Sequence, residues 1–341
     1  MKILTAMMTI LLLSKYVFSD TLFESPVYDV NFVSDNIDNS KIIKINEIKK
    51  DSLLSVLKKT LNDEKYNELL PNLSKDLINS FIKNVIINDE KIISNKNFSK
   101  IKINFDKKKI IEFYRENKLS YVEFYPKKFL LIIYDENELS ENLFTKSNNF
   151  YYYYKKNFKT NDIFKIPNLD INDRYVLKTE DVKNKDYEKI SEFSKKYELD
   201  EIIVVIAKSS NNKTNFQLLL LSQGKNKEKE FLLNRNEYED FFKILKFESL
   251  NMWKIINGIQ NTYVHKINCK INYFNNFELK EIRNNLKKIS TIKSLDIKSL
   301  SFKNIEYDIN YYGNLKILTN IFKMHKLELD NFKNQCVIRL K

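Results

Sequence analysis

The side chains of this chain whose types could do chemistry are its two cysteines and two histidines. His265 and Cys269 lie in a stretch where apolar and polar residues alternate, so they face the same side of a predicted strand. Cys336 lies in a similar stretch, and the three together would offer zinc ligands of the types it prefers. An apolar strand face also suits a satisfied histidine and small buried cysteines. We therefore expect no metal, and the set of His265, Cys269 and Cys336 is the alternative.

The elements that must position these residues follow the order strand, helix, strand, strand, helix, strand between residues 263 and 341. Alternation predicts the first strand over 263–273, and apolar residues three and four apart predict a helix over 279–289. The order is that of a ferredoxin-like βαββαβ sandwich, with a hairpin turn around 303–304. In that topology the first and last strands are antiparallel neighbours, so Cys269 and Cys336 are predicted to lie on adjacent strands.

The first 19 residues have the features of a secretory signal peptide. Lys2 precedes an apolar run over 3–13, and Ser19 ends a segment that suits cleavage. A membrane anchor is the alternative, but the run is shorter than the roughly 20 residues that span a bilayer. We expect cleavage near Ser19, no transmembrane segment after it, and a periplasmic protein.

Export determines what we expect of the cysteines. In an oxidising compartment, two cysteines on neighbouring strands favour a disulfide, which would stabilise the fold by roughly 4 kcal/mol. Two buried thiols are the alternative, because the register of the two strands cannot be derived from the sequence. Cys269 and Cys336 are thus the disulfide candidate.

The net charge of +13, from 58 basic and 45 acidic residues, suggests anionic partners. Lipid head groups and wall polymers are such partners outside the cytoplasm, and nucleic acid is one inside it. The lysines are scattered over polar faces instead of being clustered, so we expect no nucleic-acid binding. An anionic envelope surface is kept as an alternative partner.

Most of the chain is predicted to form small α/β two-layer units, which places the protein in the α+β class. We expect an extended lead-in over 20–40, an N-terminal α/β domain over 41–140, a middle α/β domain over 168–259 and the ferredoxin-like domain over 263–341. In the N-terminal domain we predict strands at 42–48, 119–124 and 129–134. In the middle domain we predict helices over 187–197 and 238–259. The apolar run over 202–207 predicts a central strand covered on both faces.

Two further segments invite a functional interpretation. The acidic stretch of Asp135, Glu136, Glu138 and Glu141 could bind calcium, but it lacks the spacing and the turn glycine of a known loop, so we expect a solvated loop. The four tyrosines of 151–154 could be a stacking platform for bases or sugars. Because Tyr and Phe are frequent throughout the chain, we expect these tyrosines to form a buried edge of a small domain.

Several segments carry a family resemblance. They are the run from Tyr197 to Ile202 after a helix, Gln217 with the apolar run after it, the long helix to Gly258, and 311–314 followed by Leu318. Together with 101–106 and the helix after it, they resemble the proteobacterial domain-of-unknown-function 2066 family. The run at Tyr197 is also similar to the N-terminal domains of periplasmic Tol-type proteins. The resemblance implies a periplasmic location and no functional residue.

No catalytic constellation is present in the sequence. It has only 3 glycines, so it lacks a Gly-rich phosphate loop, and no serine lies in a nucleophile-elbow context. We expect no catalytic residue and no cofactor. The hypothesis is a non-enzymatic binding or scaffold module of the cell envelope with an envelope protein partner. The alternative is a cell-wall or carbohydrate hydrolase whose paired carboxylates lie about 5 to 9.5 Å apart.

Overall fold

The computed structural model describes residues 21–137, 140–158, 162–332 and 335–341. The predicted leader, residues 1–19, lies outside the described residues. The chain divides into two compact units. The first contains the described residues up to Thr60, with Leu69–Leu119 and Gln260–Lys341, and the second contains Leu61–Glu68 and Ser120–Ile259. Helices and mixed or antiparallel sheets confirm the α+β class.

The helices and strands follow one another in three segments of the chain. The N-terminal segment contains β1 (Glu24–Val33), α1 (Ile37–Thr60), α2 (Asp63–Leu69), α3 (Lys75–Phe81), β2 (Ile82–Ile93), β3 (Lys96–Phe105) and α4 (Lys107–Glu116). The middle segment contains β4 (Phe129–Asn137), β5 (Ser140–Asn142), α5 (Asn149–Asn157), β6 (Phe164–Lys165), α6 (Ile171–Val176), α7 (Thr179–Lys183), α8 (Tyr187–Lys195), β7 (Ile202–Ser210), β8 (Lys213–Ser222), β9 (Lys225–Asn234) and α9 (Tyr238–Asn257). The C-terminal segment contains β10 (Val264–Asn272), α10 (Asn276–Leu286), β11 (Ile292–Ser301), β12 (Asn304–Tyr312), α11 (Leu315–Met324), β13 (Leu327–Phe332) and β14 (Gln335–Leu340).

The N-terminal sheet of the first unit has the order β1-β3-β2 and is antiparallel. The segment predicted as an extended lead-in over 20–40 is extended over β1, but it is part of the sheet, because β1 pairs with β3 from Glu24 opposite Asn104 to Val33 opposite Lys96. The predicted strand at 42–48 is wrong, because it forms the first half of α1. Leu53 and Leu57, one helical turn apart, bury the second half of that helix, so packing there determines the conformation of the whole segment.

The sheet of the second unit has the order β5-β4-β7-β8-β9, with β6 beside β4. Strand β7 is central and buried over Ile202–Ala207, as predicted. Strand β4, which falls within the predicted N-terminal domain, runs parallel to β7 from Leu130 opposite Ile202 to Glu136 opposite Lys208. Both strands are continuous apolar runs, which is the pattern of parallel strands covered on both faces.

Other predictions in this segment have mixed outcomes. The helices predicted over 187–197 and 238–259 are confirmed as α8 and α9. The strand predicted at 119–124 is wrong, because Tyr121 makes only isolated bridges to Leu61 and Ile259. Within the described part of the chain, no helix is both long enough and apolar enough to cross a bilayer.

The C-terminal sheet of the first unit has the order β11-β12-β10-β14-β13. The predicted order strand, helix, strand, strand, helix and the hairpin between β11 and β12 are confirmed. The direction of the last strand is wrong in the prediction. An additional strand, β13, reverses the chain, so β14 pairs with β10 in parallel and with β13 in antiparallel fashion. The predicted ferredoxin-like sandwich is therefore wrong at this edge, because β14 lies between β10 and β13 and runs parallel to β10. Helices α10 and α11 bury Ile282, Leu286, Leu318 and Phe322.

Candidate functional site

The two cysteines form a disulfide, as predicted. Cys269 and Cys336 are directly opposite in the parallel pair of β10 and β14, with Cα atoms 4.4 Å apart, and both are buried. Bonded sulfur atoms are not thiolates, so neither is a zinc ligand in this state. His265 is exposed, and its ring lies 5.7 Å from that of Tyr311 between centroids. Its Cα lies about 13 Å along the strand from Cys269, since a strand rises about 3.3 Å per residue.

The zinc set is therefore not assembled. His265 and Cys269 lie on the same face of β10, but they are four residues apart along an extended strand, which is too far for both to bind one metal ion. Across the described ranges, no group of three or more His, Cys, Asp and Glu side chains is placed to hold a metal ion.

The acidic stretch is not a solvated loop throughout, because Asp135 is only 6% exposed in β4. Its neighbours diverge: Glu136 pairs with Lys208 at 3.7 Å and Glu141 with Lys183 at 2.8 Å. Glu138 lies outside the described residues. Glu136 and Glu141 thus have separate partners, the Asp135 carboxylate has neither a hydrogen bond nor an ion pair among the described residues, and the three do not form a calcium cluster.

Asp135 instead lines a polar pocket in the second unit. The pocket is a depression that is open to solvent. Its lining combines one aspartate, one arginine, one glutamate, four asparagines, two hydroxyl side chains and three aromatic rings. These are Asp135, Arg235, Glu237, Asn137, Asn149, Asn234, Asn236, Ser209, Thr214, Phe150, Phe216 and Tyr238.

The strands place the pocket where parallel sheets generally bind ligands. Asp135 and Ser209 lie near the carboxyl ends of the parallel strands β4 and β7, and the crevice outside such ends is the usual binding position. The N-terminus of α5 is fixed above β4 by Asn148. The side-chain amide of Asn148 donates from Nδ2 to the Ile133 carbonyl oxygen at 3.1 Å, and Asn148 Oδ1 accepts from the Phe150 N–H at 3.1 Å. This cap holds the first residues of α5 against the pocket.

The loop between β9 and α9 forms the opposite wall. The Glu237 carboxylate accepts hydrogen bonds from the Asn234 backbone N–H at 3.2 Å and from its side-chain amide at 2.7 Å. The Arg235 N–H donates to the Asn212 carbonyl oxygen at 2.8 Å. Asn236 adopts a left-handed backbone with φ of 70°, which asparagine tolerates better than most residues. The loop is therefore held by its own hydrogen bonds.

The electrostatics of the pocket centre on Asp135. Among the described residues, its carboxylate has no hydrogen-bond or ion-pair partner. Burial raises the pKa of Asp135, and the positive charge of Arg235 opposes that rise. The Arg235 side chain is exposed. Burial raises the pKa of Tyr238, and the charge of Asp135 raises it further. The pocket thus combines a buried hydrogen-bond acceptor, Asp135, with an exposed hydrogen-bond donor, Arg235.

Hydroxyl groups and rings complete the lining. The Ser209 and Thr214 hydroxyls lie 2.9 Å apart, and Thr214 is buried. The Tyr238 hydroxyl lies 3.1 Å from Asn236 Oδ1, to which it donates. Phe150 packs edge-on against Tyr238 with centroids 5.1 Å apart. The surface therefore offers carboxylate, amide, hydroxyl and guanidinium groups over an aromatic base.

The tyrosines of 151–154 do not form one flat platform. Tyr151 and Tyr154 are buried, and the Tyr151 hydroxyl accepts a hydrogen bond from the Ile133 N–H at 2.7 Å. Tyr152 is exposed and Tyr153 stacks on Tyr238 with centroids 5.3 Å apart. The prediction of a buried edge is confirmed for Tyr151 and Tyr154.

Comparisons with known proteins identify no family. No family model matches the chain, and no curated protein matches it. A partial likeness among solved structures is to the LpoB C-terminal domain from Salmonella enterica, with 11% identity over 33% of this chain and 86% of that chain. The TM-score is 0.22, which does not establish a common fold. The resemblance to the domain-of-unknown-function 2066 family stays a prediction.

Proposed function

We propose that this protein is an exported, non-enzymatic binding module of the cell envelope, and that the polar pocket of the second unit is its ligand site. The observation that carries the proposal is Asp135, a largely buried carboxylate that lines an open pocket, has no hydrogen-bond partner among the described residues and has the charge of Arg235 as its electrostatic neighbour. Leaving a buried charged acceptor unpaired is costly, so such a group favours a ligand that supplies a donor.

The chemistry of the lining points to a hydroxyl-rich ligand, namely a small saccharide. A carboxylate only accepts hydrogen bonds, a guanidinium only donates them, and asparagine does both. Each sugar hydroxyl donates and accepts, so vicinal hydroxyls satisfy Asp135, Arg235 and the surrounding amides together. An anionic ligand would be attracted by Arg235 but repelled by Asp135, and the reverse holds for a cationic ligand, so a neutral polyol suits both groups at once.

Export is supported by the disulfide between Cys269 and Cys336, because disulfides persist in oxidising compartments. The predicted cleavage near Ser19 and the predicted likeness to an exported family belong to the same proposal. A periplasmic binding module would meet saccharides of the cell wall, which is consistent with the ligand class inferred from the pocket.

A protein partner is the second part of the proposal. One end of the N-terminal sheet exposes Val33, Ile92 and Ile93, and Ile42 of α1 is also exposed, each by more than half of its surface. Val33 and Ile93 are both opposite Lys96, so they lie at the same end of the sheet. Apolar surface of this kind marks interaction sites. We assign this aliphatic end to an envelope protein.

A saccharide hydrolase is the second candidate. It is favoured by two carboxylic acids, Asp135 and Glu237, in one pocket, and by the raised pKa of Asp135, which suits a general acid. It ranks second because both oxygens of Glu237 accept hydrogen bonds from Asn234, so that carboxylate is occupied in holding its own loop.

The experiment for the pocket is isothermal titration calorimetry with neutral probes, namely glucose and the disaccharide of N-acetylglucosamine. We expect binding that weakens about 10- to 100-fold in Asp135→Asn and in Arg235→Gln, since hydrogen bonds to charged groups contribute about 1.5–3 kcal/mol each. Asp240→Asn and Arg283→Gln, which change exposed residues elsewhere, are the matched controls and should bind like the wild type.

The outcomes separate the candidates. Binding of a free α-amino acid, but of no sugar, would overturn the saccharide assignment. Turnover of a chromogenic glycoside by the wild type that is lost in both Asp135→Asn and Glu237→Gln would replace the binding module with the hydrolase.

The protein partner is tested separately by placing a photo-crosslinking residue at Ile93. A single envelope protein should be captured there, and none from a matched position at Leu232, which is also exposed in an edge strand. Equal capture from both positions would contradict the assignment of the aliphatic end.

A further inference from the structure

One end of the C-terminal sheet exposes large apolar side chains to an unusual degree. Phe274, Phe277 and Phe302 are 82%, 77% and 89% exposed, and Leu300 is 68% exposed. Scattered exposed apolar residues are normal, but a contiguous group marks an interaction site. We call these four residues the aromatic tip.

The backbone brings the four residues to the same end. The Tyr273 N–H donates to the Lys303 carbonyl oxygen at 3.2 Å, which joins the end of β10 to the turn between β11 and β12. Phe274 and Phe302 are the neighbours of these two residues along the chain. Phe277 follows in the first turn of α10, one turn from Phe274. The segments that carry the exposed rings therefore lie at the same end of the sheet.

The aromatic tip is held in place by hydrogen bonds. Glu278 Oε2 accepts from the Phe274 N–H at 2.7 Å, and Asn275 Oδ1 accepts from the Glu278 N–H at 2.9 Å. Lys303 has φ of 55°, the left-handed conformation that closes the hairpin. The rings are thus presented by a fixed backbone, since both segments that carry them are tied down.

Positive charge surrounds the aromatic tip. Lys280, Lys298 and Lys303 are exposed, and the charge of Lys298 helps to lower the pKa of Asp308. The Lys303 ammonium lies 5.4 Å from the centroid of the Phe302 ring. Residues 260–341 contain 15 basic and 7 acidic residues, a net charge of +8. Lysines therefore outnumber acids beside the apolar side chains, where Glu278 is the acid that accepts from the Phe274 N–H.

We propose that the aromatic tip docks this protein on an anionic lipid surface, with the phenyl rings entering the interface and the lysines facing the head groups. Side chains that are about four-fifths exposed have few neighbours in their own protein, so they project outward and form no groove. Projecting rings suit a deformable lipid interface, whereas a protein partner would need a matching cavity. Anionic head groups complement the lysines, each of which contributes about fivefold to membrane affinity.

The test measures binding of the purified protein to sedimented vesicles of phosphatidylcholine with and without phosphatidylglycerol. We expect binding to the anionic vesicles that weakens steeply as salt is raised. The triple variant Phe274→Ser, Phe277→Ser, Phe302→Ser should bind at least about 100-fold more weakly, since burying one phenyl ring contributes about tenfold. The double variant Lys298→Gln, Lys303→Gln should lose about 25-fold.

Two matched controls protect this conclusion. The double variant Tyr152→Ser, Tyr175→Ser removes two exposed aromatic rings from the second unit, and Lys213→Gln, Lys225→Gln removes two exposed charges there. Both should bind vesicles like the wild type. The proposal is overturned if the triple variant binds anionic vesicles as tightly as the wild type does, or if no vesicle is bound. Dimerisation of the wild type that the triple variant lacks would also overturn it, because a second copy would then cover the aromatic tip.

Discussion

The polar pocket and the aromatic tip differ in the kind of side chain that each buries or exposes: the pocket buries an acid, Asp135, and the tip exposes an aromatic ring, Phe302. The carboxylate is 6% exposed in the polar pocket, and the phenyl ring is 89% exposed on the aromatic tip. Folding stability alone would place the charge outside and the ring inside. Both departures therefore point to partners outside the chain: a donor-bearing ligand for the pocket and an apolar environment for the tip. Replacing Asp135 should therefore stabilise the fold, whereas replacing Phe302 should leave its stability almost unchanged.

The largest change in the free energy of unfolding should come from removing the disulfide that crosslinks the C-terminal sheet, which carries the aromatic tip. The double variant Cys269→Ala, Cys336→Ala should lose about 4 kcal/mol of unfolding free energy, since the bond closes a loop with a sequence separation of 67. Denaturant unfolding of the wild type with and without reductant gives the same comparison. An unchanged midpoint would show that the sheet does not depend on its crosslink.

The next effect comes from the aromatic base of the pocket. Phe216 is buried and lies 4.6 Å from Phe241 between ring centroids, so Phe216→Ala should cost about 3 kcal/mol. Thermal and urea unfolding measure the loss. A cost below about 1 kcal/mol would mean that the base of the pocket is not part of the core of the second unit.

Asp135→Asn should stabilise the protein at neutral pH, by about 1 kcal/mol, because it removes a charge whose burial costs more than its attraction to Arg235 returns. The raised pKa of Asp135 means that the folded state binds a proton more tightly than the unfolded state. The cost of the charge is therefore fully present above the folded pKa, and it disappears as the pH falls below the unfolded value. Stability curves of both proteins between about pH 3 and pH 7 should converge at low pH. A difference that does not change with pH would contradict this account.

The smallest effect should come from the tip itself. Phe302→Ser is expected to change the unfolding free energy by less than about 0.5 kcal/mol, since the ring is almost wholly solvated. The same unfolding assay as for Phe216→Ala makes the two phenylalanines directly comparable. A loss as large as that of Phe216→Ala would show that the ring packs within its own protein.

The sequence is most informative where the pattern is local. Alternation predicts β10 and its partner strand β12, and the spacing of apolar residues predicts α9. The pairing of strands that are distant in the sequence is harder to predict. Strands β4 and β7 are both apolar runs, but neither run indicates that the two pair with each other across the helices between them. For the same reason, the pattern predicts that β14 is antiparallel to β10, because the short strand β13 does not stand out in the sequence.

The pocket is the least predictable feature, because it depends on tertiary placement. The sequence around Asp135 predicts a solvated acidic loop. In the structure this residue is buried near the end of β4. The signal that the sequence does contain is an acidic residue, Asp135, directly after the apolar run of β4, together with polar residues such as Ser209 after the apolar run of β7. It indicates a functional edge only once the two runs are known to be parallel neighbours.

The bond between Cys269 and Cys336 has a consequence for damage to the protein. All four residues of the aromatic tip lie between Cys269 and Cys336, inside the loop that the bond closes. A protease that cuts the exposed hairpin would therefore leave both fragments covalently tethered. Such a nick would be invisible on a gel without reductant, and the severed strands would stay close enough to re-form their sheet.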